Sequence, residues 1–511
     1  MNDDPLALER RAAMATAAIA LLLGLFAMNA LPVGFFQDDG HYLILARALA
    51  HGDGYRYMNL PGAPAAAHFP PGYPLLLAPI WWMAPSFPAN VVYFKLVNIV
   101  LLPVVALAIR ALGRRSGGLG PIAASVVAIA SVASVPVLFL NGLLFSETAF
   151  MAALFGLLPV VDRSLEANAR PSPRLLLSLG LATGALALLR TVGIALLPAA
   201  LVMLGLRRRW RDAALLLAGA LIVLVPWQLW ASAHARAVPD AVAGAYGAYG
   251  PWLGDAWRTG GVAFVREVIA VNLRGLLIPL TLFGLSGSHW LVQATAIVVL
   301  VALARVGARR LWPRASATLL LLIPYGALLL VWPFPPDRFL WPLWPIVLIA
   351  VAAGAGHVSS GDRSASVRHI GRATTAALSL LFVVWHVRTW PTRMWESGEQ
   401  ANAHMGVSAA KVAAALPRDG LVASDQDAMV HLYAGRPAVP LLALTAVQHV
   451  RERTDAEVAA QMQSVLDAYH PRWVLVAERE SLRAAHQLVQ RGRLKLVAAD
   501  TSGVIVYDVV R

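Results

Sequence analysis

The sequence contains no cysteine, and this absence excludes several kinds of protein. A chain without thiols has no disulfide framework, no cysteine nucleophile and no cysteine-ligated metal centre. Charged residues are also scarce: they make up 14% of the 511 residues, whereas soluble domains have about 25%. Hydrophobic residues make up 58%. The composition therefore predicts a polytopic membrane protein.

Lysine is nearly absent as well, since only three of the 42 basic residues are lysine, a bias typical of bacterial sequences from GC-rich genomes. The formal net charge of +14 lies entirely in residues 1–390, which have 29 basic and 15 acidic residues, whereas residues 391–511 have 13 of each. A basic excess confined to short loops between apolar runs sets the orientation of a membrane protein. This distribution argues against nucleic acid as a partner.

The basic clusters predict the membrane topology. If all of them face the cytoplasm, an even number of crossings joins each neighbouring pair. This rule predicts a retained first span over about 12–36, an outer loop near 236–274, a return through 275–304 and a last span near 373–390. We expect about 11 helices, with the N-terminus inside and the C-terminal segment outside. The clusters are Arg10–Arg11, Arg114–Arg115, Arg163 to Arg174, "RRRWR" (207–211), Arg305 to Arg314 and Arg363 to Arg372.

One basic residue interrupts an apolar stretch between two of these clusters. A single span from Arg174 to Arg207 would leave Arg190 near the bilayer centre, at about 2.5–3.5 kcal/mol. Two short spans instead place Arg190 at an outer turn. The same reasoning turns the chain near Asn141, which puts Glu147 close to the outer face. It also places Arg338, in "PFPPDRF", outside.

A long outer segment, residues 37–89, follows the first span. Asp38 or Asp39 can cap the next helix, since acids suit a helix N-terminus, and Gly52 can end it. We expect this helix to lie along the membrane interface. The Gly- and Pro-rich stretch after it forbids a long helix until the second span begins near Ala89. Aromatic residues suited to the headgroup layer are Tyr55, Tyr57, Tyr73, Trp81 and Trp82.

This arrangement resembles the membrane glycosyltransferases of the GT-C type, in particular the lipid A aminoarabinose transferases and protein O-mannosyltransferases. In those families an acid pair opens a helix in the first outer loop, a Gly-rich step and paired prolines follow, and further motifs come in a fixed order. The resemblance covers roughly residues 1–390. Its motifs are "FFQDDGHYLILARALAHGDGY" (35–55), "PP" (70–71), "LLFSETAF" (143–150), "LGLATGALALLRT" (179–191) and "DRFLWPLWP" (337–345).

The resemblance implies a substrate and a chemistry. Such enzymes use a polyprenyl-phosphate-linked sugar and transfer the sugar, outside the cytoplasm, to a lipid, glycan or protein hydroxyl. The reaction needs a base for the acceptor proton and cations for the departing phosphate. Arginine suits the phosphate because its planar fork matches the phosphate oxygens. We therefore expect a glycosyltransferase of the bacterial cytoplasmic (inner) membrane.

Candidate site residues follow from the matched motifs. Asp38 is the candidate base, with Asp39 beside it, and Glu147 is the candidate for orienting acceptor or base. Many aminoarabinose transferases have a lysine before the paired prolines, but Phe69 stands there in this chain. The candidates for binding donor phosphate or other parts of the substrate are Arg338, Arg190, His68 (next to Phe69, in place of that lysine), His41 and Tyr42.

Each of these residues also has a plain structural alternative. The acids can be helix caps or hydrate the end of a span, and the arginines can be helix-end anchors whose charged heads reach water. No cofactor and no structural metal are expected, because the sequence has no His/Cys cluster. Asp38 and Asp39 do offer oxygen ligands for a divalent cation.

The C-terminal segment, residues 391–511, has the pattern of a small extracytoplasmic α/β domain. Two amphipathic stretches, "DAEVAAQMQSVLDAYH" and "ERESLRAAHQLVQRG", predict helices. Asp425 and Asp427 are expected to end a strand and start a helix rather than to form a catalytic pair. Short buried strands are predicted at "GLVASD", "RWVLVA", "LKLVAA" and "GVIVYDVV".

Two other function classes stay open at this point. A lipid flippase or transporter would also have polar residues in its helices, although usually near the midplane and in two related halves. An O-antigen-type polymerase would act on outer-face polyprenyl lipids and would favour a large, arginine-bearing outer loop late in the chain. The loop at 236–274 is modest, so the sequence favours the transferase.

Overall fold

The structure is a computed structural model of the chain, and it describes residues 5–275, 283–285, 288–359, 364–394 and 397–510. Most of the described chain is helical. The α-helices are α1 (Pro5–Phe26), α2 (Asp38–His51), α3 (Gly72–Met83), α4 (Val91–Arg115), α5 (Pro121–Val132), α6 (Val135–Gly142), α7 (Glu147–Ser164), α8 (Pro173–Leu189), α9 (Leu196–Leu206), α10 (Trp210–Ala233), α11 (Ala243–Tyr246), α12 (Tyr249–Gly275), α13 (Trp290–Leu311), α14 (Ser316–Val331), α15 (Asp337–Leu340), α16 (Trp344–Ser359), α17 (Ala365–Met394), α18 (Ser397–Ala415), α19 (Asp427–Ala434), α20 (Asp455–Tyr469) and α21 (Arg479–Gln490).

The described residues also include five β-strands, and all of these strands belong to the C-terminal segment. They form one sheet in the order β2-β1-β3-β5-β4. The strands β2, β1 and β3 run parallel, whereas β5 pairs antiparallel with both β3 and β4. Their bounds are β1 (Val422–Ser424), β2 (Ala438–Pro440), β3 (Trp473–Val476), β4 (Leu494–Ala499) and β5 (Ile505–Val509).

The chain divides into two compact units, each built from three segments. The first unit comprises Met1–Asn29, Lys95–Val225 and Ile269–Trp395. The second comprises Ala30–Phe94, Pro226–Val268 and Glu396–Arg511, so residues 37–89 share a unit with the C-terminal segment. The division into domains 1–390 and 391–511 stays a prediction.

Apolar helices of membrane-spanning length confirm the class that the composition predicts. Among the described residues, five helices qualify, or six if one pair bent by 59° counts as a single span. The helix α1 is not among them, because Glu9, Arg10 and Arg11 occupy its first turns. The predicted number of about 11 spans stays a prediction. The five are Val91–Arg115, Trp210–Ala233, Trp290–Leu311, Asp337–Ser359 and Arg368–Trp390, and the bent pair is Pro121–Val132 with Val135–Gly142.

The predicted breaks in the apolar stretches are confirmed. Arg190 is extended (φ −149°, ψ 129°) between α8 and a short 3-10 helix that leads into α9. The chain also leaves helical structure between Gly142 and Glu147, where α6 ends and α7 begins. A third break separates α14 from Asp337, where α15 begins. Each break therefore lies at or next to one of the charged residues that predicted it.

One predicted boundary is wrong. The first helix ends at Phe26 rather than near residue 36, because Pro32 and Gly34 follow, and Gly34 adopts φ +106°. Within the predicted outer loop 236–274, α12 is helical from Tyr249 to Gly275. Gly261 departs from helical angles, with φ 60° and ψ −158°, and it only kinks the helix. The position of residues 236–274 outside the membrane stays a prediction.

The C-terminal sheet matches the predicted strands, with two differences. The strands β1, β3, β4 and β5 lie where the sequence places them, and α20 and α21 coincide with the predicted helices. The sequence does not predict the short strand β2. Pro437 precedes this strand and Pro440 is its last residue, and prolines are uncommon in strands. The strand β4 was expected to be buried, but it is an edge strand, exposed from Lys495 to Ala499.

Close contacts through glycine join α13 and α16 in the first unit. A Cβ atom on Gly307 would lie 1.8 Å from the carbonyl oxygen of Ala350, and one on Gly354 would lie 2.0 Å from that of Leu303. Small residues at a helix crossing let two backbones approach directly, and the close packing that results favours helix association in lipid. These two glycines therefore set the distance between α13 and α16.

Adding one methyl group at this crossing should destabilise the protein. We expect Gly307→Ala to lower the free energy of unfolding by about 1–3 kcal/mol, since the helices must separate to admit the Cβ. Thermal denaturation of purified protein in detergent measures the loss. Gly326→Ala in α14 is the matched control, because its Cβ meets nothing within 4 Å and should be neutral or stabilising by about 0.5–1 kcal/mol. Equal stability of the two variants would contradict the packing argument.

The break at Arg190 allows a direct test of orientation. Thr191, the next residue, is exposed, and so is Ala167 in the loop that the arginine pattern places in the cytoplasm. We expect a cysteine at Thr191 to react with a membrane-impermeant thiol reagent from outside, and one at Ala167 to react only after the membrane is opened. The absence of native cysteine removes any background. The reverse pattern would show that Arg190 faces the cytoplasm.

Candidate functional site

The turn before α2 is organised by the carboxylate of Asp39. Its two oxygens accept hydrogen bonds from the backbone N–H groups of Gly34 (2.9 Å), Phe36 (3.2 Å) and Gly40 (2.9 Å). Burial raises the pKa of Asp39 to about 6, and the three N–H groups oppose that shift. The positive φ of Gly34 lets the chain turn so that its N–H group points at the Asp39 carboxylate. Asp39 is therefore a structural acid.

The capping prediction for the acid pair is wrong in its detail. Gln37, in a left-handed conformation (φ 60°), is the N-cap residue, and its side chain makes no capping hydrogen bond. Asp38 and Asp39 instead occupy the first turn of α2, where their negative charges still complement the helix dipole. The end of the helix at Gly52, with φ 81°, is confirmed. The helix is also buried at Asp39–Ala46 and at Ala48, more completely than expected of a helix lying along an interface.

Asp38 differs from its neighbour in exposure and surroundings. It is half-buried, whereas Asp39 is 2% exposed. Its negative charge acts on the imidazoles of His41 and His68 and raises the pKa of both against the larger effect of burial. The structure thus gathers Asp38, His41 and His68 in one neighbourhood of the second unit.

His41 and Tyr42 lie among aromatic rings. The His41 ring centroid is 4.6 Å from that of Tyr246, and Tyr42 packs on Phe69 at 5.1 Å and on Tyr73 at 5.0 Å. Burial lowers the pKa of His41 to about 3. Neither of its ring nitrogens has a hydrogen-bond partner within the part of the chain that the structure describes. Tyr42 contributes to packing, and His41 is a neutral buried imidazole.

His68 is also buried, which argues against the cation role that the sequence suggests. Its Nδ1 atom lies 2.7 Å from the carbonyl oxygen of Gly247, and its ring packs on Tyr249 at 4.1 Å. Burial lowers the pKa of His68 to about 4. The imidazole is therefore neutral at physiological pH and does not replace the charge of a lysine.

A buried polar network in the same unit was missed by the sequence. The Tyr246 hydroxyl donates to the Asp427 carboxylate, and the Asn59 side chain donates to the same carboxylate oxygen at 3.4 Å. Burial raises the pKa of Asp427 to about 7. The prediction that Asp427 starts a helix and that Asp425 follows a strand is confirmed. What the sequence does not show is that this helix start contacts residues far away in the chain.

The first unit contains an arginine–glutamate cluster that brings three predicted site residues together. These are Glu147, Arg190 and Arg338. The Arg190 Nη1 atom lies 2.7 Å from the Glu147 Oε1 atom, and the Arg338 Nε atom pairs with the same oxygen. The Arg338 Nη2 atom reaches the other oxygen at 3.4 Å. Glu147 is 2% exposed and begins α7, where the helix dipole favours a carboxylate.

Two phenyl rings complete the surroundings of the arginines. The guanidinium carbon of Arg338 lies 3.9 Å from the ring centroid of Phe145, and that of Arg190 lies 5.1 Å from Phe339. The side chain of Arg338 is 25% exposed, whereas that of Arg190 is 7% exposed. Two guanidinium groups thus share one carboxylate in this cluster, and Arg338 is the more exposed of the two arginines. Such an arrangement can bind an oxyanion.

The predicted residues thus fall into two groups, one in each unit. No cluster of three or more His, Asp or Glu side chains that could hold a metal occurs among the described residues. The second unit contains Asp38, Asp39, His41, Tyr42 and His68, and the first contains Glu147, Arg190 and Arg338.

Comparisons with known proteins rest on structure alone. Neither a scan against protein-family models nor a search of curated proteins finds a match. Among solved structures, the chain resembles ArnT from Cupriavidus metallidurans bound to undecaprenyl phosphate, with a TM-score of 0.54 and 14% identity over 97% of both chains.

An archaeal protein gives the same result. The Archaeoglobus fulgidus oligosaccharyltransferase tethered to an acceptor peptide matches with a TM-score of 0.51 and 10% identity, over 98% of this chain and 74% of that one. Its complex with Zn and sulfate matches with a TM-score of 0.55 and 13% identity, over 97% and 73%. Both ArnT and the oligosaccharyltransferase are glycosyltransferases of the GT-C type. The GT-C resemblance seen in the sequence is therefore confirmed at the level of the fold.

Proposed function

We propose that this protein is a membrane glycosyltransferase. In this proposal it transfers a sugar from a polyprenyl-phosphate-linked donor to a hydroxyl group of a cell-envelope lipid, glycan or protein. The reaction takes place at the outer face of the bacterial cytoplasmic membrane. The observation that carries the proposal is the arginine–glutamate cluster, in which two arginines meet one glutamate at helix breaks of a chain with a GT-C-like fold.

Arg338 is the proposed phosphate ligand. Its guanidinium is held by Glu147 and by the face of Phe145, so its orientation is fixed before substrate binds. A fixed planar fork loses less conformational entropy on binding a phosphate than a mobile side chain does. Arg190, more deeply buried, adds positive charge. Glu147 is the proposed orienting residue of both arginines, because its two oxygens are engaged with them.

Asp38 is the proposed general base. Asp39 is poorly suited, since its oxygens already accept three backbone N–H groups. Asp38 is more exposed and lies beside neutral His41 and His68, which do not compete with it as cations. In the proposed reaction the acceptor oxygen bonds to the anomeric carbon as the carbon–oxygen bond to the phosphate breaks. Asp38 takes the acceptor proton, and polyprenyl phosphate leaves.

The remaining predicted residues have smaller roles in the proposal. His41 is a candidate hydrogen-bond partner for the sugar or acceptor, Tyr42 shapes the same region by packing, and His68 acts as a neutral polar group. The proposal requires no cofactor. A divalent cation at Asp38 and Asp39 stays a prediction, and the three N–H groups on Asp39 argue against it, because they use lone pairs that a metal would need.

Location and orientation belong to the same proposal. We infer about 11 spans, a cytoplasmic N-terminus and an extracytoplasmic C-terminal segment from the arginine pattern. A lipid-linked donor is supported by the undecaprenyl phosphate bound in the ArnT structure, and a peptide acceptor by the tethered peptide of the oligosaccharyltransferase. The flippase and polymerase alternatives predict no sugar transfer by purified protein from a monophosphate-linked donor.

The base assignment predicts a selective loss of chemistry. Asp38→Asn is nearly isosteric, so the variant should fold and bind the donor, but sugar transfer should fall by roughly 10²–10⁴-fold, the usual contribution of a general base. Transfer is measured with purified protein in nanodiscs, and donor binding is checked on the same sample.

Asp39→Asn is the matched control for Asp38→Asn. An amide cannot accept all three N–H groups, so we expect a stability loss of about 1–3 kcal/mol with a much smaller loss of turnover per folded molecule. Near-normal transfer by Asp38→Asn would remove the proposed mechanism. A large loss in Asp39→Asn alone would move the base by one residue.

The phosphate assignment predicts a change in donor affinity. Arg338→Lys keeps the charge but loses the planar fork, so donor binding should weaken by roughly 10- to 100-fold, because hydrogen bonds between charged groups contribute about 1.5–3 kcal/mol. Arg258→Ala is the control, since Arg258 forms an exposed ion pair with Asp255. If Arg338→Ala binds donor as tightly as this control, Arg338 is only an anchor at a helix end.

A further inference from the structure

The loop between α6 and α7, together with the first residue of α7, supplies three successive contacts of the arginine–glutamate cluster. Phe145 presents its ring to Arg338, the Ser146 hydroxyl accepts a hydrogen bond from Arg190 at 3.1 Å, and Glu147 pairs with both arginines. These three residues are adjacent in the chain. A small displacement of the loop would therefore move all three contacts together.

A buried asparagine on a neighbouring span holds this loop. The Asn98 Nδ2 atom, on α4, donates to the carbonyl oxygens of Leu143 at 3.1 Å and of Phe145 at 2.9 Å. Asn98 is fully buried. The loop is not helical, so these carbonyls lack the partners that a continuous helix would provide, and buried backbone carbonyls need donors. Asn98 supplies them.

A second polar pair holds the start of the same loop. The Asn29 side chain donates to the carbonyl oxygen of Gly142 at 3.0 Å, and Lys95, one turn before Asn98 on α4, donates to both oxygens of Asn29 at 2.9 Å. A lysine buried in a spanning helix is expensive and usually marks a functional region. The carbonyls at 142, 143 and 145 are thus fixed by polar side chains from outside the loop.

We propose that Asn98 is a positioning residue for donor binding. It touches no reacting atom; it fixes the loop that orients the guanidinium groups of Arg338 and Arg190. This inference rests on the proposed function, because it requires Arg338 to bind the donor phosphate. The groups of a binding site must be held within about 0.5 Å of their productive positions. The Asn98 amide is suited to holding the loop because its two N–H donors lie in one plane.

The test compares binding of undecaprenyl phosphate to wild-type and variant protein in nanodiscs. We expect Asn98→Ala to weaken binding roughly tenfold, with KM for the sugar donor raised and kcat changed much less. A general loss of stability would instead lower the amount of active protein without shifting KM. Phe145→Leu is a second variant that removes the ring under Arg338 while leaving the Asn98 hydrogen bonds in place, and it should also raise KM.

Asp162→Asn is the matched control for destabilisation. Asp162 lies near the opposite end of α7, about 22 Å from Glu147 along the helix. It is equally buried, and it accepts backbone hydrogen bonds from Ala317 and Thr318. Its replacement should lower thermal stability without changing affinity for undecaprenyl phosphate. A change in affinity as large as that of Asn98→Ala would show that destabilisation alone explains the effect and would overturn the inference.

The remaining outcomes separate this inference from the proposed function. Weaker binding in Arg338→Ala, with normal binding in both Asn98→Ala and Phe145→Leu, overturns the positioning role and leaves the phosphate role intact. Normal binding in Arg338→Ala overturns both. If the positioning role is correct, Asn98→Ala should cause little further loss in an Arg338→Ala background, because both changes remove the same contact.

Discussion

The double ion pair of Glu147 with Arg190 and Arg338 is the constraint on which much of the first unit depends. A buried arginine in an apolar environment is tolerated only when it is paired, and breaking one partner of a buried pair costs about 3–5 kcal/mol. The three residues are carried by segments 43 and 148 residues apart. The chain leaves helical structure next to each of them, between α6 and α7, after α8 and before α15. The ion pairs therefore join three helix breaks that are far apart in the sequence.

The sequence predicts these breaks because they obey a local rule. A single span would leave Arg190 near the bilayer centre at a cost of about 2.5–3.5 kcal/mol, so a turn at that position is favoured. The rule says nothing about pairing. It does not show that Glu147 binds both arginines or that Phe145 and Phe339 cover them. These contacts join distant parts of the chain, and Glu147 and Arg338 are 191 residues apart. The same applies to Asn98, whose importance lies in a loop 45 to 47 residues away.

The second unit shows what a local pattern leaves undetermined. Short apolar runs suffice to place β1, β3 and β5, and amphipathic periodicity places α20 and α21. Asp427, however, looks like an ordinary helix start until Tyr246, 181 residues earlier, is seen to donate to it. His68 is similar. Its position beside paired prolines suggests a cation, whereas a carbonyl 179 residues away and the ring of Tyr249 hold it buried and neutral. Burial of a polar residue is a property of the whole fold.

The acids in this chain have different roles, and the roles differ with the contacts and the exposure of each carboxylate. Asp39 is occupied by three backbone N–H groups, Glu147 by two guanidinium groups, and Asp427 by Tyr246 and Asn59. A carboxylate engaged in this way stabilises structure and is a poor acceptor for a further proton. Asp38 is adjacent to Asp39, whose three hydrogen bonds fix the backbone at this point, and its side chain is more exposed than that of Asp39. A rigid neighbour and an exposed carboxylate are what a general base requires. Successive side chains of an α-helix point about 100° apart, so two adjacent residues of α2 can differ in exposure in this way.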